Sequence, residues 1–199
     1  MIKYLALGDS YTIGEGLDPS ENFPNQVVRK LLEKGVYIQL EQIIAVTGWT
    51  TDELSEAIAV RKPHLRHDWV SLLIGVNNQY RGRSIEEYSW QFYSLLCQAI
   101  LFAGGKPERV IILSIPDWGL TPFNVQKDKV TVSSEIDQFN QINKTWAEHF
   151  GCHYIDITMS TREHAELSEY LAEDQLHYSG NEYAIWAEKV VQIILAGSI

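Results

Sequence analysis

Short apolar runs alternate with amphipathic stretches along the whole chain. Ile2–Leu7 is a run of strand type that ends at Gly8. A helix is predicted from Pro24 to Lys34, with proline in its first turn and Gly35 just past its end. The second strand falls in the latter part of Val36–Val46, and Thr50-Thr51-Asp52-Glu53 reads as a capping box opening a short helix. Trp69–Ile74 is the third strand. A second capping box, Ser84-Ile85-Glu86-Glu87, heads a long helix with Tyr88, Phe92, Leu95, Leu96 and Ala99 on one face. Arg109–Ile115 is nearly continuous in valine, isoleucine and leucine, the pattern of a strand covered on both faces. A loop from Pro116 to about Val130 leads to a helix with Ile136, Phe139, Ile142 and Trp146 at helical spacing. His153–Ile157 is the fifth strand, Ser160 to about Glu169 a short helix, and Ser179-Gly180-Asn181-Glu182 caps the last helix.

Five strands alternating with helices predict an α/β protein whose parallel sheet is covered on both sides by right-handed crossovers. At 199 residues, with no internal repeat or linker, residues 1–199 are expected to form one domain. In such sheets ligands bind outside the carboxyl ends of the strands. Polar candidates therefore matter most where they follow a strand. Ser10 follows the first, Gly48 the second and Gly75-Val76-Asn77 the third, while Asp174 and His177 lie beyond the fifth.

A serine in a strand-to-loop turn, with a carboxylate and a histidine downstream, is the set that nucleophilic acyl chemistry requires. The hydroxyl needs an imidazole to take its proton, and the imidazole needs a carboxylate on its other nitrogen. Of the six histidines only His177 has an acidic residue three positions before it, Asp174. Asp9 adjoins Ser10, and an adjacent side chain normally points away from its neighbour's partner, so Asp9 is expected to stabilise the turn.

With Gly8-Asp9-Ser10, Gly48, Gly75-Val76-Asn77 and Asp174-Gln175-Leu176-His177 in that order, the chain resembles SGNH-type hydrolases of the GDSL esterase/lipase family. The resemblance covers nearly the whole chain. It implies a flavodoxin-like three-layer α/β/α fold, a five-stranded parallel sheet of order 2-1-3-4-5, and ester hydrolysis with no metal or organic cofactor. It also implies the roles: Ser10 as nucleophile, His177 as general base and then acid, and Asp174 as its orienting carboxylate. The oxyanion donors would be the backbone N–H groups of Ser10 and Gly48 and the side-chain amide of Asn77. Gly48 takes its place as the sole glycine between Gly35 and Gly75. One position departs from the pattern: Asn78 stands where the family usually carries aspartate, keeping hydrogen bonds but no charge.

Tyr11, Trp49, Tyr80, Trp118 and Phe123 fall near the site segments. Each alone fits core packing as well as function; together they suggest a substrate-binding wall for an acyl or sugar group, with the loop around Trp118 and Phe123 as a lid. His64-x-x-His67 and His149 to His153 lack a matched set of three or four metal ligands. The glycines from Gly8 to Gly16 follow neither phosphate-loop pattern. A net charge of −10 argues against a nucleic-acid surface and against docking on anionic lipid. Cys97 and Cys152 are expected as buried free thiols rather than a disulfide. The apolar stretch before Gly8 is too short for an export signal or membrane span, which leads to an expected cytoplasmic location, although a chain trimmed of its signal would read the same.

The sequence thus predicts a serine esterase acting on a small-molecule ester, lysophospholipase-like or of short-to-medium acyl range. Carbohydrate acetyl esterase is the alternative within that class. A non-catalytic carbohydrate- or anion-binding module is the alternative outside it, and oligomeric state is left open.

Overall fold

The computed structural model describes residues 1–197. Five strands, β1 Ile2–Gly8, β2 Ile38–Ala45, β3 Trp69–Leu73, β4 Val110–Leu113 and β5 His153–Ile155, form one parallel sheet of order β2-β1-β3-β4-β5. The helices are α1 Ser10–Ile13, α2 Phe23–Glu33, α3 Thr51–Arg61, α4 Val76–Tyr80, α5 Ile85–Phe102, α6 Lys129–Phe150, α7 Thr158–Glu163 and α8 Gly180–Ala196. Helices α2 and α8 pack together on one face of the sheet, and α3, α5 and α6 cover the other. This is the three-layer α/β/α arrangement, with the strand order, that the resemblance implies.

The central strands are apolar because neither face meets water: every residue of β3 and β4 is buried. Ser71 is the polar exception in β3, and its hydroxyl shares a 2.7 Å hydrogen bond with the Tyr4 phenol on β1. Between the layers lie Trp69, Trp186, Tyr88 and Phe92, all fully buried. Among the described residues no helix is long and apolar enough to cross a membrane.

The predicted helix starts are largely present. Thr50 N–H donates to Glu53 Oε2 at 2.8 Å, closing the capping box of α3. The Ser84 hydroxyl accepts Glu87 N–H at 3.1 Å at the head of α5. Helix α2 begins one residue earlier than the pattern suggests, because Asn22 caps it by accepting Asn25 N–H at 3.0 Å.

Three expectations are corrected. The helix from Ser160 to about Glu169 is instead α7, Thr158–Glu163, followed by a separate 3-10 turn, Ser168–Tyr170. The Ser160 and Thr161 hydroxyls there bond back to the Ile157 and Thr158 carbonyls, which competes with helix propagation. Strand β5 stops at Ile155, and the adjoining Ile157 N–H is taken by the Ser114 hydroxyl at 2.8 Å. Cys97, in α5, and Cys152, just before β5, are free thiols but half-buried rather than buried. Two single-turn helices, α1 and α4, lie where the hydrophobic pattern predicts none, and both adjoin the candidate site.

Candidate active site

Strand β1 ends at Gly8, and Asp9 turns the chain directly into α1. The Asp9 carboxylate caps that turn, with Oδ1 accepting Tyr11 N–H at 3.0 Å. Ser10 is thereby placed at the first helical position, above the carboxyl edge of the sheet and 3% exposed. Burial pushes the Asp9 carboxyl up to about 7, against the pull of its hydrogen bonds to Tyr11 N–H and to Asn77. The expectation that Asp9 holds the turn instead of serving the histidine agrees with this geometry.

Asp174 and His177 share a tight loop. An isolated antiparallel bridge joins Leu171 to Tyr178, and Ala172 N–H donates to His177 O at 2.8 Å, so the loop is closed at its base. Gln175 takes φ +55° at its tip, a left-handed conformation that lets the chain reverse. Asp174 Oδ1 accepts the backbone N–H groups of Leu176 and His177, each at 2.9 Å, and Oδ2 lies 2.5 Å from His177 Nδ1. Partial burial works to raise the Asp174 carboxyl. The His177 hydrogen bond and the two backbone donors outweigh it and hold the group below its ordinary value. An ionised carboxylate is acceptor-only, so the proton in this contact sits on His177 Nδ1, which leaves Nε2 pointing away from Asp174.

The Tyr11 ring packs 5.0 Å from the His177 ring, centroid to centroid, which places Ser10 and His177 at the same corner of the sheet. Among the described residues the Ser10 hydroxyl and His177 Nε2 are not hydrogen-bonded to each other. The structure thus brings Asp174 and His177 into direct contact, with Ser10 hydrogen-bonded to neither. Catalytic hydrogen bonds often tighten only in the substrate complex.

Gly48 follows β2 with φ +82°, a conformation that favours glycine. Its carbonyl accepts Arg81 Nη2 at 2.6 Å, and among the described residues its N–H has no partner. Asn77, in α4, donates from Nδ2 to Trp49 O at 3.0 Å and to Asp9 Oδ2 at 3.4 Å. The segments carrying Asp9, Trp49 and Asn77 are thus tied together. Asn78 next to it is fully buried: Oδ1 accepts Thr51 N–H at 3.1 Å and Nδ2 donates to Thr51 Oγ1 at 2.7 Å. The Thr51 hydroxyl also bonds Gln91 Oε1, an acceptor, so it must donate there and accept from residue 78. An ionised aspartate could not supply that donor, which accounts for asparagine at this position.

The aromatic residues separate into two groups. Tyr11 is buried and supports His177, and Trp49 is half-buried against the core. Trp118 is 3% exposed, with Nε1 donating to Gln79 Oε1 at 2.7 Å, and Tyr80 packs edge-on to it at 5.0 Å. Tyr80, Trp118, Phe123 and Lys127 line a cavity of about 290 Å³. Lys127 Nζ lies 4.8 Å from the Tyr80 ring centroid and 5.2 Å from that of Trp118. The loop carrying Phe123 is tied to the Asp174–His177 loop, since Phe123 N–H donates to Gln175 O at 3.3 Å.

Sequence reasoning missed Gln79 and Asp117. Gln79 fixes the Trp118 indole and donates to Glu135 Oε2 at 2.7 Å. Asp117, fully buried, accepts Gly119 N–H, the Ser133 hydroxyl at 2.6 Å and Arg162 Nε at 2.9 Å, holding the turn that carries Trp118. These partners are 16 to 56 residues apart, apart from the local turn, and no local pattern announces them.

A family model described as the GDSL-like lipase/acylhydrolase family matches residues 6–185. Among curated proteins none matches significantly. Similar solved structures include a lipase/acylhydrolase from Enterococcus faecalis, 21% identical with a TM-score of 0.68, covering 98% of this chain and 95% of that one. The acetylxylan esterase Axe2 from Geobacillus stearothermophilus is 22% identical, with a TM-score of 0.68 and coverage of 97% and 94%. The psychrotrophic esterase EstA from Pseudoalteromonas sp. is 14% identical, with a TM-score of 0.70 and coverage of 98% of both chains. At these identities the structures establish a shared fold.

Proposed function

Since the chain belongs to the GDSL-like lipase/acylhydrolase family, a family of carboxylic ester hydrolases, we propose that Ser10 is the nucleophile of an esterase working through an acyl-enzyme. The observation that carries this reading is the Asp174–His177 pair, with the proton on Nδ1 and Nε2 at the corner occupied by Ser10. Ser10 Oγ attacks the ester carbonyl as His177 Nε2 takes its proton, and the carbonyl π pair moves onto oxygen. That oxyanion is met by the backbone N–H groups of Ser10 and Gly48 and by Asn77 Nδ2, whose long contact to Asp9 is the one most readily given up. Collapse of the intermediate expels the alcohol, protonated by His177. Water then repeats the sequence on the acyl-enzyme and releases the acid. Each oxyanion donor is worth about 2.7–4 kcal/mol in comparable sites.

The aromatic cavity formed by Tyr80, Trp118 and Phe123 supports an acyl group of short-to-medium length, while Tyr11 packs against the His177 ring and the Trp49 carbonyl accepts Asn77 Nδ2. A lysophospholipid is the larger substrate that fits this reading. The second reading is deacetylation of a carbohydrate, favoured by Tyr80, an exposed ring able to stack on a sugar face.

The test is hydrolysis of p-nitrophenyl acetate and p-nitrophenyl octanoate by the wild type and by Ser10→Ala. Loss of turnover by at least ~10³-fold in the variant is the expected result. A preference for octanoate supports the acyl-esterase reading, and turnover confined to acetate supports the carbohydrate one. Turnover that survives Ser10→Ala overturns Ser10 as the nucleophile, and no turnover on either ester by the wild type overturns the assignment in favour of a binding module.

A further inference from the structure

A second cavity, about 470 Å³, opens at the amino-terminal edge of the sheet, the edge opposite Ser10. Its lining includes Arg66, His67, Asp68, Trp69, Lys106 and Arg109. Arg66 comes from the segment leading into β3, Lys106 and Arg109 from the segment leading into β4. Among the described residues none of these three cationic side chains has an ion-pair or hydrogen-bond partner; Arg109 lies over the Trp69 ring at 4.8 Å.

Their convergence is unexplained by the local structure. Cations commonly gather near a helix C-terminus to satisfy its last carbonyls. Here the last four carbonyls of α5 are already satisfied by backbone donors. Ala99, Ile100, Leu101 and Phe102 accept the N–H groups of Ala103, Gly105, Gly104 and His67 respectively. Of the nearby acids, Asp68 lines the cavity and its Oδ2 accepts Lys3 N–H at 2.8 Å, and Glu41 is shared between Lys3 Nζ at 2.7 Å and His67 Nε2 at 3.2 Å. Behind the cations, two lining residues hold buried polar atoms without partners, His67 Nδ1 and Trp69 Nε1. The His67 side chain is 2% exposed and Trp69 fully buried. Buried polar groups are nearly always satisfied in folded proteins, so two at one wall mark it as unusual.

We propose that this cavity binds a small, multiply charged oxyanion of the phosphate class, at a site separate from the candidate catalytic centre. Two guanidinium groups offer the planar forks that match phosphate oxygens, and Lys106 adds a point charge. The volume lies within the range of small-molecule sites and exceeds what a single inorganic phosphate fills, which favours a diphosphate or an organic phosphate. On a chain of net charge −10, three cationic side chains against one lining carboxylate, Asp68, form a concentration of positive charge at this cavity.

Calorimetric titration with pyrophosphate, at fixed ionic strength, tests this on the wild type and on Arg66→Ser/Lys106→Ser. Both side chains are exposed, and circular dichroism verifies that the variant is folded. Saturable binding by the wild type, weakened at least about tenfold in the variant, is the expected result, with inorganic phosphate binding more weakly than pyrophosphate. Absence of saturable binding, or equal binding by the folded variant, overturns the proposal. So does capture by phosphatidic acid vesicles when free pyrophosphate does not bind, because the cations would then serve a lipid surface.

Discussion

Asp9 caps the turn that presents Ser10 and also accepts a hydrogen bond from Asn77, the side chain proposed to meet the oxyanion. The motif around Ser10 made its neighbourhood legible in the sequence. The link to Asn77, 68 residues away, was not, because it depends on β1 and β3 lying side by side. Burial raises the Asp9 carboxyl from an ordinary value of 3.8 to about 7. The folded state therefore favours the neutral form. The stability this contributes is fully present below about pH 4 and is lost as pH rises through about 7. Asp9→Asn keeps an acceptor for Tyr11 N–H and removes the titration. Urea unfolding at pH 4.5 and pH 8 should show the variant gaining on the wild type by a few kcal/mol, to order of magnitude, across that interval. A gap that stays constant would mean that Asp9 ionises as in the unfolded chain.

At the scale of elements, the apolar runs located β3 and β4 most directly, because strands buried on both faces have no polar face to blur the signal. The edge strand β2 carries Gln39, Glu41 and Gln42, and the pattern places it only within Val36–Val46. Capping residues located the starts of α3, α5 and α8 for the equally local reason that a side-chain acceptor must meet an orphan N–H. Helices α1 and α4 escaped notice. With four and five residues, they are shorter than the repeat by which a helix is recognised. They are imposed from outside, α1 by the Asp9 cap and α4 by the turn at Gly75. Gly75 takes φ +129°, and a Cβ there would run into the Tyr88 phenol. That phenol donates to Asn143 Oδ1 at 2.6 Å and lies 3.0 Å from Ile74 O. Gly75→Ala should therefore destabilise the fold by roughly 2 kcal/mol or more, through strain at the junction and displacement of a buried hydroxyl. Chemical denaturation measures the loss. An unchanged midpoint would show that the β3–α4 turn has slack that the packing does not suggest.

Across the whole molecule, the first and last long helices lie against each other. Gln26 Nε2 in α2 donates to Gly180 O at the head of α8 at 2.8 Å, and Lys30 pairs with Glu188 at 3.3 Å. Alternation alone gave a parallel sheet in the sequence; the order of its strands came from the family resemblance, since spacing does not say which strand is central. The sheet recruits strands from residue 2 to residue 155, and α8 closes onto α2. Unfolding should then be one cooperative transition, with near- and far-ultraviolet circular dichroism giving coincident midpoints. Two separated midpoints would contradict the reading of residues 1–199 as one domain.

The loop bridged from Leu171 to Tyr178 carries both the carboxylate and the imidazole, so their mutual geometry is set within eight consecutive residues. In the proposed mechanism, bringing Ser10, His177 and Asp174 together is thereby reduced from three moving parts to two. A small swing of that loop about its base changes the reach of the imidazole toward Ser10 while leaving the acid–base couple intact. The Phe123 N–H to Gln175 O hydrogen bond ties that loop to the segment lining the aromatic cavity. In the proposed mechanism, alignment of Ser10 with His177 then reduces to a single mechanical coordinate.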